Sequence, residues 1–248
     1  MPRLAVITPY FQEPDNVLVQ CHESVLRQTV SCTHFLIADG HPRGLFDKSQ
    51  NTMHMTLPMA NADYGNTPRA LGGMAAEAYG FDAVAYLDAD NWYEPDHIAN
   101  LLKEHDRTQN PLITCKRKFY DLAGCLLAVQ EPDENTNSHV DTNCWLIIRP
   151  AFSMLRVWLM PKPLSPLGDR VFLKKALHDR FQITMTDYRT VAYRTLHAAH
   201  YLAAGAPVPD NAKAFDVGGV FQTASSYLCS IDGVVEITRA LGFYPRIC

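Results

Sequence analysis

Two carboxylates, Asp88 and Asp90, stand on alternate positions in the stretch Ala85–Trp92 (AYLDADNW), directly after an apolar run. Residues two apart in extended chain point the same way. Two carboxylates on one side repel unless a cation lies between them. Hard divalent cations such as Mg²⁺ or Mn²⁺ take oxygen ligands, commonly one or two carboxylates completed by substrate phosphates. Spacing alone is a weak signal, because short acidic triplets also occur in ordinary exposed turns. Placement after a buried strand and before a helix opened by Pro95 strengthens it.

Other residues offer complementary chemistry. Asp39 follows an apolar run and precedes Gly40-His41-Pro42, which places it either in an Asx-turn or at a ligand-binding strand end. Arg69 falls in the first turn of a helix, within reach of a diphosphate or a loop carboxylate. Asp169 stands at the start of another helix, where it suits both an N-cap and a general base. His197 and His200, three apart, share one side of a helical turn. His139, Asp141 and Asn143 are further polar candidates for a ligand cleft, and Trp92 offers a ring for ligand stacking or for core packing.

The elements that must position these groups follow from hydropathy patterning. Short apolar runs at 4–8, 33–38, 52–57 and 83–87 read as strands. The run at 83–87 does not alternate, as befits a strand buried on both faces of a parallel sheet. Between them, Val17, Leu18, Cys21, Val25 and Leu26 have helical spacing over 16–28. The segment 65–80 has Thr67 as a candidate N-cap, Pro68 as a first helical residue and Gly80 at C′. Gly72 and Gly73 in that helix suit close approach to a donor or, preferably, to a neighbouring strand. Strand and helix therefore alternate through residue 107, the pattern of a doubly wound sheet.

The second half is less regular. Strands are expected at 112–115, 126–129, 144–148 and 183–193, a loop over 131–141, a helix over 169–180, and helix again from Phe221 to Arg239. The run Lys116-Arg117-Lys118 reads as a solvated strand end. The segmentation is 1–204, divided into 1–107 and 108–204, with a C-terminal helical extension at 205–248.

Composition limits the alternatives. The 248-residue chain is 47% hydrophobic with net charge −4, which permits a sizeable core and gives no basic face for nucleic acid. Its seven cysteines show no CxxC spacing and suit reduced thiols. No secretory h-region and no membrane-length apolar run is present, so a cytoplasmic protein is expected. The Gly-rich loops of P-loop and dinucleotide-binding enzymes and the G-x-S-x-G elbow are missing.

These segments resemble, in order, those of the family 2 inverting glycosyltransferases of the GT-A fold. Val6–Tyr10 (VITPY) resembles the first strand and nucleotide loop, and Ser24–Thr29 (SVLRQT) the S-x-x-x-Q-T/S helix end. Ile37–Pro42 (IADGHP) resembles the strand ending in D-D-G-S, and Gly65–Ala70 (GNTPRA) the G-x-x-x-A-R-N stretch. Leu87–Pro95 (LDADNWYEP) resembles the D-x-D segment, and Leu167–Phe172 (LGDRVF) the G-E-D helix start. Two positions depart: Ala38 replaces the first Asp of D-D-G-S, and Ala70 the Asn of A-R-N.

The resemblance implies an α/β GT-A fold, a Rossmann-like, mostly parallel open sheet flanked by helices. It implies transfer of a sugar from a nucleotide-sugar, UDP-linked by preference, to an acceptor hydroxyl, dependent on Mn²⁺ or Mg²⁺. Thr8, Pro9, Tyr10, Asp39, Arg69, Asp88 and Ala89 would bind the nucleotide-sugar. Asp90 and Asp88 would hold the metal, with His197 or His200 completing it, and Asp169 would be the catalytic base. No membrane span is implied, and the C-terminal extension leaves room for an oligomer contact. The competing readings are a sugar-phosphate nucleotidyltransferase, whose Gly-rich first loop Thr8–Phe11 lacks, and a non-catalytic nucleotide- or glycan-binding module.

Overall fold

The computed structural model describes residues 2–46, 49–130, 135–214 and 216–247. Four parallel strands form one half of a continuous sheet in the order β3–β2–β1–β4: β1 (Leu4–Tyr10), β2 (Cys32–Ala38), β3 (Thr52–Thr56) and β4 (Ala83–Tyr86). β1 pairs in parallel with β2 from Leu4↔Cys32 to Tyr10↔Ala38, and with β4 from Leu4↔Ala83 to Ile7↔Tyr86. Their carboxyl ends therefore share one edge, where ligands of open α/β sheets bind.

Beyond β4 the sheet continues through β8 (Trp145–Ile148), β6 (Leu112–Tyr120), β9 (Ile183–Arg194) and the two-residue β5 (Trp92–Tyr93), while β7 (Leu126–Leu127) pairs on β6. β8 runs antiparallel to both β4 and β6, whereas β6 and β9 are parallel. β6 runs to Tyr120, past the expected Cys115. Burial alternates from Lys116 on, so the basic run lies inside a strand. Arg117 is buried, and Lys116 and Lys118 face outward to Asp187 and Glu94.

Helices α1 (Asp15–Leu26), α2 (Asn66–Ala78), α3 (His97–Thr108) and α4 (Gly168–His178) cover the sheet. α2 begins earlier than Thr67 implies. Gly65, in the left-handed region at φ 77°, precedes its first turn, and Asp63 accepts hydrogen bonds from the Thr67 amide at 2.9 Å and its hydroxyl at 2.5 Å. The cap thus comes from the preceding loop, while Gly80 takes the C′ position at φ 78°. Residues 149–158 and 162–167 wind into 3₁₀ turns that bury Phe152, Leu155 and Trp158.

After α5 (Ala198–Ala203), the C-terminal helix is two helices, α6 (Val217–Leu228) and α7 (Ile231–Leu241), divided where Ser230 caps the second. Ala224, Leu228, Ile237 and Leu241 belong to the same core as the sheet. Cys21, Cys32, Cys115 and Cys144 are buried free thiols, and Cys125 and Cys229 are exposed ones. Cys248 and residues 131–134 of the expected loop lie outside the described residues.

Gly72 is needed for the seat of α2 on the sheet. A Cβ there would meet Ile7 Cγ2 at 2.6 Å and Ile37 Cγ1 at 3.0 Å, so the small residue serves a neighbouring strand. Overpacking costs about 1–3 kcal/mol, against about 1 kcal/mol of helix propensity gained by replacing Gly. Gly72→Ala is therefore expected to lower unfolding free energy by about 1 kcal/mol in urea titration. Gly73→Ala, whose Cβ would lie 3.1 Å from the Tyr86 hydroxyl, should cost less.

Candidate functional site

The carboxyl ends of β1, β2 and β4 open onto a cleft of about 420 Å³. β1 supplies Pro9 and Tyr10 and the next residue is Phe11. Asp39 follows β2, and Asp88, Ala89 and Asp90 follow β4. The loop before α2 contributes Asp63, Tyr64 and Gly65, α2 contributes Arg69, and β9 contributes Tyr193 from across the sheet. Three of the four sequence-selected carboxylates thus share one hollow.

Asp88 is held from both sides. The buried Arg69 guanidinium forms an ion pair with Oδ1 and also donates to the Tyr64 carbonyl at 2.7 Å and to Asn66 Oδ1 at 3.1 Å. Asn143 Nδ2 donates to Asp88 Oδ2 at 3.0 Å, and the Asp88 amide donates to Asn143 Oδ1 at 2.5 Å. Asn143 in turn donates to Asp141 Oδ1 at 2.7 Å, and Asp141 pairs with the buried Arg117. Arg117 lies over the Tyr193 ring at 4.6 Å, which returns the chain of contacts to the cleft wall. Of the two destinations open to Arg69, the loop carboxylate is the one it reaches. Asp141 and Asn143 are buried supports of Asp88 and are not among the residues that line this cleft.

Asp90 lacks such partners. Its carboxylate makes no ion pair among the described residues, and Arg194 donates instead to the Asp90 carbonyl at 3.2 Å. The side chain opens onto the cleft's solvent, yet protein surrounds it closely. That burial, reinforced by the negative charges of Asp88 and Glu13, pushes its pKa up to about 7. The place is short of positive charge, and its oxygen donors suit a hard cation.

Asp39, 5% exposed, accepts from the Asn61 amide at 3.0 Å and from Asn61 Nδ2 at 2.6 Å, so it joins β2 to the loop before α2. Gly40 beside it is obligatory: at φ 80° a Cβ would meet the Ala60 nitrogen at 2.5 Å. Tyr10 borders the cleft but is buried, its ring stacked on His54 and its hydroxyl meeting His54 Nε2 at 2.6 Å. Phe11, 41% exposed, stands edge-on to His41 at the mouth.

Thr8 does not line the cleft. Its side chain turns into the core, where the hydroxyl meets His34 Nε2 at 2.8 Å. His197 and His200 do not line it either. His200 Nδ1 bonds the Thr195 hydroxyl at 2.7 Å and its ring packs on Phe119. Burial, then Arg117 and His197, lower its pKa to about 4. The expected metal set of Asp88, Asp90 and a histidine is not assembled: among the described residues no group of three or more His, Cys, Asp and Glu side chains is placed to hold an ion.

Asp169 stands in the first turn of α4, as expected, but beside the cleft rather than on its wall. Its Oδ2 accepts from His139 Nε2 at 2.6 Å and its Oδ1 from the Arg170 amide at 2.7 Å. The preceding Gly168 lies against Asn66, a partner of Arg69.

Sequence reasoning missed Glu13, Asn61, Asp63 and Tyr64, and did not single out Phe11 as a cleft residue. The available signal was position: each lies in a βα loop at the carboxyl edge of the parallel strands, and the polar, turn-rich stretch 59–65 belongs there.

The arrangement defines an α/β protein with a nucleotide-sized, carboxylate-lined cleft at the carboxyl edge of its parallel strands. No protein-family model matches the chain. The succinoglycan biosynthesis protein ExoW of Rhizobium meliloti (strain 1021) is 26% identical over 115 residues, 43% of this chain and 35% of that protein. Among solved structures, TarS residues 1–349 of S. aureus in complex with UDP superposes with a TM-score of 0.60 at 15% identity, covering 78% of this chain and 60% of that one. The same protein with UDP-GlcNAc gives 0.61 at 13% identity, over 92% and 67%. The fold is thus the GT-A fold that the sequence motifs resemble. The chain spans about a third of the curated relative it matches.

Asp90 has a consequence for stability. Its native pKa of about 7 lies above the ordinary 3.8, so the native state keeps a proton that the unfolded chain has lost. Stability is therefore lost as pH rises from about 4 to 7. Asp90→Asn is expected to raise Tm at pH 8 by about 2–4 °C, corresponding to about 1 kcal/mol after allowance for solvent at the open cleft. At pH 4 the two proteins should melt together, and calorimetry at both pH values checks the difference.

Proposed function

We propose that this chain is a metal-dependent inverting glycosyltransferase that moves a sugar from a nucleotide-sugar, UDP-linked by preference, to an acceptor hydroxyl. The observation that carries the reading is the gathering of Asp39, Asp88 and Asp90 on one cleft beyond the parallel strands. The superposition on TarS bound to UDP and to UDP-GlcNAc supports a nucleotide-sugar as its occupant.

Each cleft residue then has a task. Asp39, held by Asn61, accepts an N–H of the base, and Phe11 offers ring surface to it while Tyr10 borders the pocket. Asp88, clamped by Arg69 and Asn143, presents a fixed edge to the ribose side. Asp90 is the residue that would hold Mn²⁺ or Mg²⁺ together with diphosphate oxygens, since one or two carboxylates suffice when the substrate completes the shell. Bound there, the cation neutralises charge developing on the leaving nucleoside diphosphate. The histidines at 197 and 200 stay outside this proposed set. Asp169 takes the proton of the acceptor hydroxyl as its oxygen attacks the anomeric carbon, and direct displacement inverts that centre.

Incubation with a panel of nucleotide-sugars and Mn²⁺ tests the reading. Release of nucleoside diphosphate, by transfer or slow hydrolysis, is expected. Pyrophosphate released from a nucleoside triphosphate and a sugar phosphate would mark a nucleotidyltransferase instead. Binding without turnover would mark a binding module.

Two variants divide the roles. Asp90→Ala should abolish the Mn²⁺-dependent part of the thermal shift given by UDP while leaving the protein folded; an unaltered shift counts against Asp90. Asp169→Asn should retain UDP binding and lose roughly 100-fold or more in turnover, the usual scale of a general base.

A further inference from the structure

His139 lies outside the cleft and has no place in the reaction as drawn, yet it is built against the proposed base. Its Nε2 meets Asp169 Oδ2 at 2.6 Å, with both side chains largely buried. The loop carrying it is fixed twice from α4: Arg170 Nη1 donates to the Ser138 carbonyl at 3.2 Å, and Lys174 Nζ to the Asn137 carbonyl at 3.3 Å. The main chains of Asn135 and His139 also bond each other in both directions. The imidazole is thus held on the carboxylate by its own backbone as well as by its ring.

We propose that His139 is the positioning partner of Asp169 and that its protonation decides whether Asp169 can accept the acceptor's proton. This inference rests on the reading of Asp169 as the base. With neutral His139, the Nε2–H fixes Oδ2 and leaves carboxylate lone pairs free. The acceptor oxygen bonds the anomeric carbon, the bond from that carbon to the diphosphate oxygen breaks with its electron pair on the diphosphate, and the proton goes to Asp169. With His139 as imidazolium, Asp169 is locked as the anion of an ion pair and is a poor base.

The surroundings set the window. Burial disfavours charge on both groups, but the shared hydrogen bond and mutual attraction outweigh it. They hold His139 above its ordinary 6.5 and Asp169 below its ordinary 3.8. The other charged groups facing His139 are Arg117, which lowers its pKa, and Asp141, which raises it; Arg170 faces Asp169. Because the His139 value is raised, imidazolium persists above pH 6.5, and turnover falls as pH drops through that region.

The probe is hydrolysis of UDP-GlcNAc, with water as acceptor, at saturating donor and Mn²⁺, so that protonation of Asp90 appears in KM rather than in kcat. The wild-type kcat should show an acid limb above pH 6.5. His139→Gln keeps an N–H donor to Asp169 but cannot titrate. It should move that limb down by about 1 pH unit or more with donor KM unchanged. A limb that stays in place overturns the proposal, since a merely structural histidine would lower kcat without moving it. Should His139→Gln fail to fold, the NMR titration of His139 in Asp169→Asn decides: its pKa must fall from the wild-type value, and an unchanged value overturns the proposal. Asp169→Asn with full activity, or wild type without UDP release, sinks the underlying base assignment, and the inference with it.

Discussion

The Asp88 carboxylate is the point on which the two halves of the molecule are joined. It leaves the sheet edge beside apolar β4 and would be costly there alone, because a buried charge without partners loses hydration and gains nothing. Arg69 comes to it from α2 in the first half, and Asn143 from the start of β8 in the second. Neither partner is local in sequence. The clamp therefore forms only when α2 sits on the sheet at its correct height and β8 has paired antiparallel to β4. Gly72 sets the first condition, and the Ala83↔Ile148 to Ala85↔Leu146 register the second.

Asp90, two residues on, receives none of this. The same strand end thus carries one satisfied and one frustrated carboxylate. Their contrast is a matter of backbone geometry: Asp88 faces the α2–β8 junction, while Asp90 opens to the cleft with Asp88 and Glu13 as its electrostatic neighbours. Local destabilisation of this kind persists where the rest of the fold overdetermines the position. Here strong pairing of β1, β2 and β4 does so, and the unmet charge is directed to the cleft.

The sequence revealed the first half well because its rules are local. β1, β2 and β4 are apolar runs without alternation, and only a strand buried on both faces needs that pattern. It was less revealing where long-range contacts override local preference. Thr67 looked like a cap, but Asp63 caps from the loop before it. Lys116-Arg117-Lys118 looked like a solvated end, but Arg117 is buried because Asp141 and the rings of Phe119 and Tyr193 meet it there. In the site, the cleft positions of Asp39, Arg69, Asp88 and Asp90 were readable from strand-end placement and the ordered motifs together. Thr8 and the two histidines were not, since nothing local tells which way a side chain at a strand end will turn.

Buried charge also connects the cleft wall with the His139–Asp169 pair. Arg117 on β6 sits between: it pairs with Asp141, stacks on the cleft residue Tyr193, and lowers the pKa of His139 by its field. Removing that cation would take the ion pair from Asp141 and leave its bonds to Asn143, weakening the support of Asp88, and would at the same time strengthen the positive bias of His139. A single buried arginine thus links the rigidity of the donor edge to the electrostatics of the base, and the bond from Arg189 to its main-chain carbonyl holds that link to β9.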